Sequence, residues 1–278
     1  LELQSGKRAS FDGRMHIPSE LVVAVAAFVV ALLTFFTGFG LGTLLMPAFA
    51  WLLHDVPTAV AATAVVHLAN NVLKLGLVGR LADRGVVLRF GATAVLFSFL
   101  GAWVLTHMAR GLEFARYGLG DQEYTVTVEK LIIAVLMFLF AAFELLPVFN
   151  RLAFAPRWLP LGGALSGFFG GLSGHQGPLR SAFLMRCGLE KTAFIGTGAV
   201  CAVLVDTARL VVYGASVWAA HAHASAGSGR LVMVGMAGAF AGTLVGNRML
   251  HKVTWTAMRV TVGVLLMLMA VALGAGWI

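Results

Sequence analysis

Charge is scarce in this chain. Asp, Glu, Lys and Arg make up 12% of its 278 residues, where soluble domains carry about a quarter, so a water-soluble globular fold is excluded. Cysteine is nearly absent as well. Cys187 and Cys201 allow no disulfide framework and read as small apolar packing residues. Signatures of catalysis are missing: there is no paired-histidine metal motif, no GxxxxGK[ST] loop and no nucleophile elbow. The sequence therefore predicts no enzyme, no cofactor and no metal. Acidic residues are outnumbered, 12 against 20 basic, for a net charge of +8. Most Lys and Arg sit in short connections between apolar runs, where lipid headgroups and insertion topology account for them, so nucleic acid is not the expected partner.

What the chain has in abundance is apolar sequence: 59% of residues, with a mean hydropathy of +0.90. Eight apolar segments stand out, at about 21–53, 57–79, 86–109, 129–149, 159–186, 190–213, 230–250 and 255–275. Only helices suit these spans, because no alternation of lumen-facing and lipid-facing residues marks a β-barrel. The first run has no small-residue cleavage site leading into a polar domain, so a signal peptide is not expected. The longest connection, about 110–128, reads as a polar loop of mixed charge. The expected fold is thus an all-α membrane protein with a polar N-terminal tail, residues 1–20, and the lipid bilayer as its surroundings.

Segments one and five are too long. The 33 residues of 21–53 would make a helix of about 50 Å at 1.5 Å per residue, beyond a hydrocarbon core of about 30 Å even with tilt. Both are interrupted by glycine: Thr37-Gly38-Phe39-Gly40-Leu41-Gly42 before Pro47, and Gly170-Gly171-Leu172-Ser173-Gly174-His175-Gln176-Gly177-Pro178. Each reads as two half-helices joined by an unwound turn.

The halves repeat. Thr58-Ala59 recurs as Thr192-Ala193 and Thr63 as Thr197, offset by 134; Lys74-Leu75 recurs as Arg209-Leu210 and Gly79 as Gly214, offset by 135. The repeats expected are 21–149 and 150–278, four segments each. Loop charge bears on their orientation. If all eight segments cross, loop Lys and Arg divide nine to eight. If segments one and five turn back as hairpins, one side gathers Arg80, Arg84, Arg89, Arg151, Arg157, Arg186, Lys191, Arg248, Lys252 and Arg259, ten residues. The other side holds seven, Lys7, Arg8, Arg14, Arg110, Arg116, Lys130 and Arg230, of which three lie in the tail. The positive-inside rule favours the hairpins, inverted repeats and both termini outside.

Three cations lie within the segments rather than between them: Lys74, Arg180 and Arg209. Each costs about 3 kcal/mol at mid-helix and normally faces a partner or polar cavity. Two readings stand for Lys74, coordination of an anion or snorkelling towards Arg80. Two also stand for Arg209, anion coordination or pairing with Asp206 one turn earlier. Arg180 follows Gly177-Pro178 at the start of a half-helix, where free amides and the helix dipole favour an anion. The turn at Gly38, Gly40 and Gly42 offers matching amides, and Ser173, His175 and Gln176 sit in the second turn. Asn70 and Asn71 are further donors. His67 and Asp206 are candidates for proton coupling or for counter-ion duty. Against all this stands close helix packing as a sufficient reason for the glycines. Paired interrupted segments in two halves nonetheless point to a transporter binding site for a small inorganic or organic anion.

These residues resemble a known family. Thr37–Gly42 with Pro47, then Thr58-Ala59, then Gly170–Ser181, are similar to the sulfite exporter TauE/SafE family over nearly the whole chain after residue 20. The resemblance implies a multi-pass transporter of the bacterial plasma membrane that exports sulfite or an organosulfonate such as sulfoacetate. Alternating access is the expected mechanism, and a passive anion channel is the alternative.

Overall fold

The computed structural model describes residues 18–37, 40–107, 112–120, 122–146, 148, 153–220, 226–249 and 255–278. The protein is almost wholly helical. Among the described residues, four helices are long and apolar enough to cross a membrane: Val56–Leu81, Arg84–His107, Lys191–Gly214 and Gly229–Arg248. Shorter apolar helices cover Ser19–Phe35, Leu41–Leu53 and Val260–Gly274.

In chain order the first half holds α1 (Ser19–Thr37), α2 (Leu41–Leu44), α3 (Met46–Leu53) and α4 (Val56–Val78). A single helical turn, α5 (Arg84–Val86), then passes through a π-helical stretch into α6 (Ala92–His107). After strands β1 (Glu113–Leu119) and β2 (Gln122–Thr127) comes α7 (Val128–Leu145). The second half is α8 (Leu159–Ser173), α9 (Gly177–Leu184), α10 (Lys191–Ala220), α11 (Ala226–Arg248) and α12 (Trp255–Gly274). Local chemistry sets several starts. Asp55 caps α4 by accepting from Thr58 N at 2.8 Å with Pro57 in the first turn, and Asp83 caps α5 by accepting from Val86 N at 2.8 Å.

The two interruptions lie where glycine predicts them. Gly40 (φ +109°) and Gly174 (φ +83°) adopt the left-handed conformation that a side chain disfavours, and they stand 134 residues apart. His54 (φ 54°), which ends α3, and Gly188 (φ +69°), which follows α9, keep the same spacing. Contacts between the two parts of each broken segment differ in kind. Gly162 near the start of α8 packs on the ring of Phe183 near the end of α9, and Val23 of α1 and Phe49 of α3 meet together at Gly235 of α11.

Helices far apart in the chain pack in pairs. α8 runs parallel to α6: Cβ atoms at Gly163, Gly167 and Gly171 would stand 2.1–2.2 Å from the carbonyl oxygens of Phe90, Ala94 and Ser98 in turn. α11 runs parallel to α1 in the same manner, with Gly238 and Gly242 against the carbonyls of Ala24 and Phe28. Glycine removes the side chain so that helix backbones touch, the usual solution where no water drives helices together. α4 and α10 run antiparallel. Asp83, just beyond α4, donates its N–H to Thr197 near the start of α10 (2.9 Å), while Asn71 and Asp206 meet at mid-helix. α7 and α12 are antiparallel too, since Gly263 lies against Glu144 and Leu145 while Gly274 lies against Ala134. Ser98 of α6 donates to the Val205 carbonyl of α10 (3.0 Å), and Thr243 of α11 donates to Asn70 of α4 (2.7 Å), at the corresponding place.

The 110–128 connection departs from expectation. Polar as the sequence indicates, it nonetheless holds an antiparallel strand pair that an all-helical reading does not include, turning at Gly120 (φ +64°). Stacked Tyr117 and Tyr124 brace it, and Tyr117 Oη donates to the Ala275 carbonyl at 2.6 Å. The hairpin thereby satisfies an acceptor at the end of α12.

Candidate functional site

The two broken turns meet at the centre. A Cβ on Gly174 would lie 3.1 Å from the Gly42 carbonyl oxygen and 3.1 Å from Arg209 Nη1; one on Gly42 would lie 3.3 Å from the His67 ring. Antiparallel α4 and α10 run beside this meeting point and supply its polar side chains.

Asp206 is the hub. Its Oδ1 accepts from Arg209 Nε at 3.0 Å and from Gln176 Nε2 at 3.2 Å; its Oδ2 lies 2.6 Å from His67 Nδ1 and accepts from Asn71 Nδ2 at 3.3 Å. Arg209 Nη2 stands 2.7 Å from Oδ1 but out of hydrogen-bonding alignment, and Nη1 donates to the Gly170 carbonyl at 3.3 Å. Gln176 is a bridge, because its Oε1 accepts from Arg180 Nη1 at 3.1 Å while its amide reaches Asp206. Ser166 of α8 holds the Gln176 carbonyl at 2.7 Å. A carboxylate with this many donors is fully stabilised as an anion. Counter-ion duty for Asp206 is therefore what the geometry supports.

Lys74 is buried at 4% exposure, which rules out snorkelling. Its ammonium lies 5.7 Å from the centre of the Phe35 ring, and the charge of Arg180 reaches it. The carboxylate whose charge reaches Arg180 is Asp206. Among the described residues, Asp206 is thus the carboxylate shared by two of the three buried cations, Arg180 and Arg209. Glu129 and Glu144, the other buried carboxylates among the described residues, lie towards the two ends of α7. Glu144 is 3% exposed.

The remaining candidates separate by role. His175 sits in the second turn, with its Nδ1 2.8 Å from Ser173 Oγ and its ring stacked on Phe140 of α7. Asn70 is engaged with Thr243 of α11 and serves that helix contact. Gly40 makes the first turn but faces Thr34 and Val262, away from the polar cluster. Gly38 lies outside the described residues. Sequence reasoning missed Tyr213, whose hydroxyl donates to the Gly171 carbonyl, together with Ser166 and Phe140. Tyr213 follows Arg209 by one helical turn, a spacing that could have revealed it.

A comparison with known protein families decides the identity. The family model described as "Sulfite exporter TauE/SafE" matches residues 23–273. The chain belongs to the TauE/SafE family. No curated protein matches it. The family is one of membrane exporters of sulfur oxyanions, and the apolar helices suit a multi-pass transporter of that kind.

Proposed function

We propose that this protein is a secondary carrier that exports sulfite or a related small sulfur oxyanion across the bacterial plasma membrane by alternating access. The observation that carries the proposal is the charge surplus at the centre. Lys74, Arg180 and Arg209 are all buried, the carboxylate among the described residues that reaches Arg180 and Arg209 is Asp206, and an uncompensated buried charge is costly unless a counter-ion joins it. Arg209 is matched by Asp206 and Arg180 donates to Gln176 at 3.1 Å, whereas Lys74 makes no hydrogen bond among the described residues and lies within reach of the Arg180 charge, so both halves bring cations to the centre. An oxyanion between them would also meet the first amides of α9, with Gly42, Asn71, Ser173, His175 and Gln176 around it.

The halves, 21–149 and 150–278, are inverted repeats in this reading, and segments one and five are re-entrant hairpins. Several features support it. Equivalent helices α4 and α10 run antiparallel. Asn71 and Asp206, equivalent at an offset of 135, contact each other, as residues beside a two-fold axis do. The ends of α8 and α9 approach one another. Loops rich in Arg then share one side, the cytoplasmic one. The two halves would rock about the centre and expose it to each face in turn. Outward movement of an anion needs no further energy source, because an inside-negative potential supplies about 2.3 kcal/mol per charge per 100 mV.

Proteoliposomes loaded with sulfite test the proposal. A carrier gives saturable efflux that external sulfite accelerates, whereas a channel of the same architecture gives efflux without such acceleration. Arg180→Ala is expected to abolish the flux. Full flux in that variant would overturn the site.

A further inference from the structure

His175 Nε2 is a buried site nitrogen without a hydrogen-bond partner among the described residues, and the tautomer of its ring can be assigned. Ser173 Oγ donates to the Phe169 carbonyl at 3.2 Å, so the single hydroxyl proton of Ser173 is committed. His175 Nδ1 lies 2.8 Å from Ser173 Oγ and 3.1 Å from the Ser173 carbonyl oxygen. The carbonyl can only accept from the ring, and the hydroxyl accepts too once its proton goes to Phe169, so the proton is assigned to Nδ1. In the neutral ring Nε2 is then a bare lone pair. It is fully buried and has no hydrogen-bond partner among the described residues. Phe140 stacks on the ring with centroids 5.4 Å apart and fixes its plane. The neighbouring charged group is Arg209, whose Nη1 stands 3.1 Å from the Cβ position of Gly174, the residue before His175.

A bare acceptor beside a cation is out of place for a fully deprotonated anion. Its lone pair would repel every oxygen of sulfate or of the sulfite dianion. It is in place for an oxyanion that still carries a proton. Resting on the anion site proposed above, we propose that His175 Nε2 is a specificity-determining acceptor that selects oxyanions bearing an O–H or N–H, such as hydrogensulfite. The cations take the negative oxygens, and His175 takes the proton-bearing group. An unpaired buried acceptor costs most when the ligand lacks the donor, which is how a polar pocket rejects an isostere. Ser173 is the positioning residue that sets the tautomer.

Two isosteres separate this role from charge alone. Sulfamate and methanesulfonate have the same charge and similar shape, but the first presents N–H where the second presents methyl. Their affinities for the purified full-length protein are to be measured by calorimetry, with sulfite at mildly acidic pH as reference. The wild type is expected to prefer sulfamate by about tenfold, one hydrogen bond's worth. His175→Phe, which keeps an aromatic ring against Phe140, is expected to bind both equally. His175→Gln, whose amide oxygen can still accept, is expected to keep part of the preference. Equal affinities in the wild type overturn the assignment without recourse to any variant, and so does an undiminished preference in a folded His175→Phe. If sulfite, sulfamate and methanesulfonate all fail to bind the folded wild type, the anion site itself is refuted and this inference falls with it.

Discussion

Lys74 and Asp206 are both buried and polar on facing helices, yet they answer to different demands. Asp206 is tied to four side chains, so Asp206→Ala strands Arg209 in a dry interior. Breaking a buried pair of this kind costs about 3–5 kcal/mol, and the variant should melt well below the wild type in detergent. Lys74 donates no hydrogen bond among the described residues and rests over Phe35. Lys74→Ala should therefore leave the melting temperature unchanged or higher while weakening sulfite binding at least about tenfold, the effect of losing one charge-assisted contact. A parallel loss of stability in both variants would remove the distinction between scaffold and ligand cation. Sequence spacing revealed the Arg209–Asp206 pair, because three residues along a helix is a contact distance. It could not reveal that Gln176 joins Arg180 to Asp206, since that bridge depends on how the second turn folds. Equating Lys74 with Arg209 by offset was sound as symmetry, but symmetry partners need not touch. Lys74 instead comes under the influence of Arg180, a residue whose counterpart at the 134 offset is Met46.

Among the elements, glycine has two separate duties that sequence alone runs together. Gly40 and Gly174 are required by backbone angle, and Gly163, Gly167 and Gly171 by proximity to α6. The broken segments were legible because an apolar run longer than the bilayer must break somewhere, and a glycine cluster is where a helix gives way most cheaply. Which glycine turns the chain was not legible, nor was the strand pair in the 110–128 connection, where polar and aromatic residues carry no helical or strand period long enough to decide. A Cβ at Gly167 would fall 2.1 Å from the Ala94 carbonyl oxygen, and backbone cannot yield as a side chain does. Gly167→Val should cost about 1–3 kcal/mol, more than a valine at exposed Gly214, where nothing lies within 4 Å. Thermal unfolding of the two variants makes the comparison. The proposed hairpins also have a labelling consequence. With Cys187 and Cys201 replaced by serine, single cysteines at Arg84 and Lys191 should react from one face of the membrane, and those at Ser19 and Tyr117 from the other. Reaction of Arg84→Cys and Lys191→Cys from opposite faces would contradict the hairpins.

For the molecule as a whole, the open matter is whether its halves move. The contacts at the two ends of the α4–α10 crossing bear on it. Near the Arg-rich loop the end of α4 is clamped to α10: Asp83 N–H bonds Thr197 Oγ1 at 2.9 Å, and a Cβ on Gly196 would stand 2.4 Å from the Val78 carbonyl oxygen. Thr63, the equivalent of Thr197 in the first half, has a buried hydroxyl without a hydrogen-bond partner among the described residues. One threonine of the pair is thus engaged and the other is not, although the sequence repeats them at constant spacing. In a carrier that rocks between two arrangements, each end of the crossing should be clamped in one state and released in the other, and this asymmetry is what a single state displays. A disulfide across Asp83→Cys and Thr197→Cys would hold the clamped end shut. Rocking then predicts that oxidation stops sulfite efflux from proteoliposomes and that dithiothreitol restores it. The same double variant kept reduced should transport, which separates the lock from the loss of Asp83 as a helix cap. Efflux that persists after complete cross-linking would mean the path runs through a static pore, and the passive channel would then be the better account of the same charged centre.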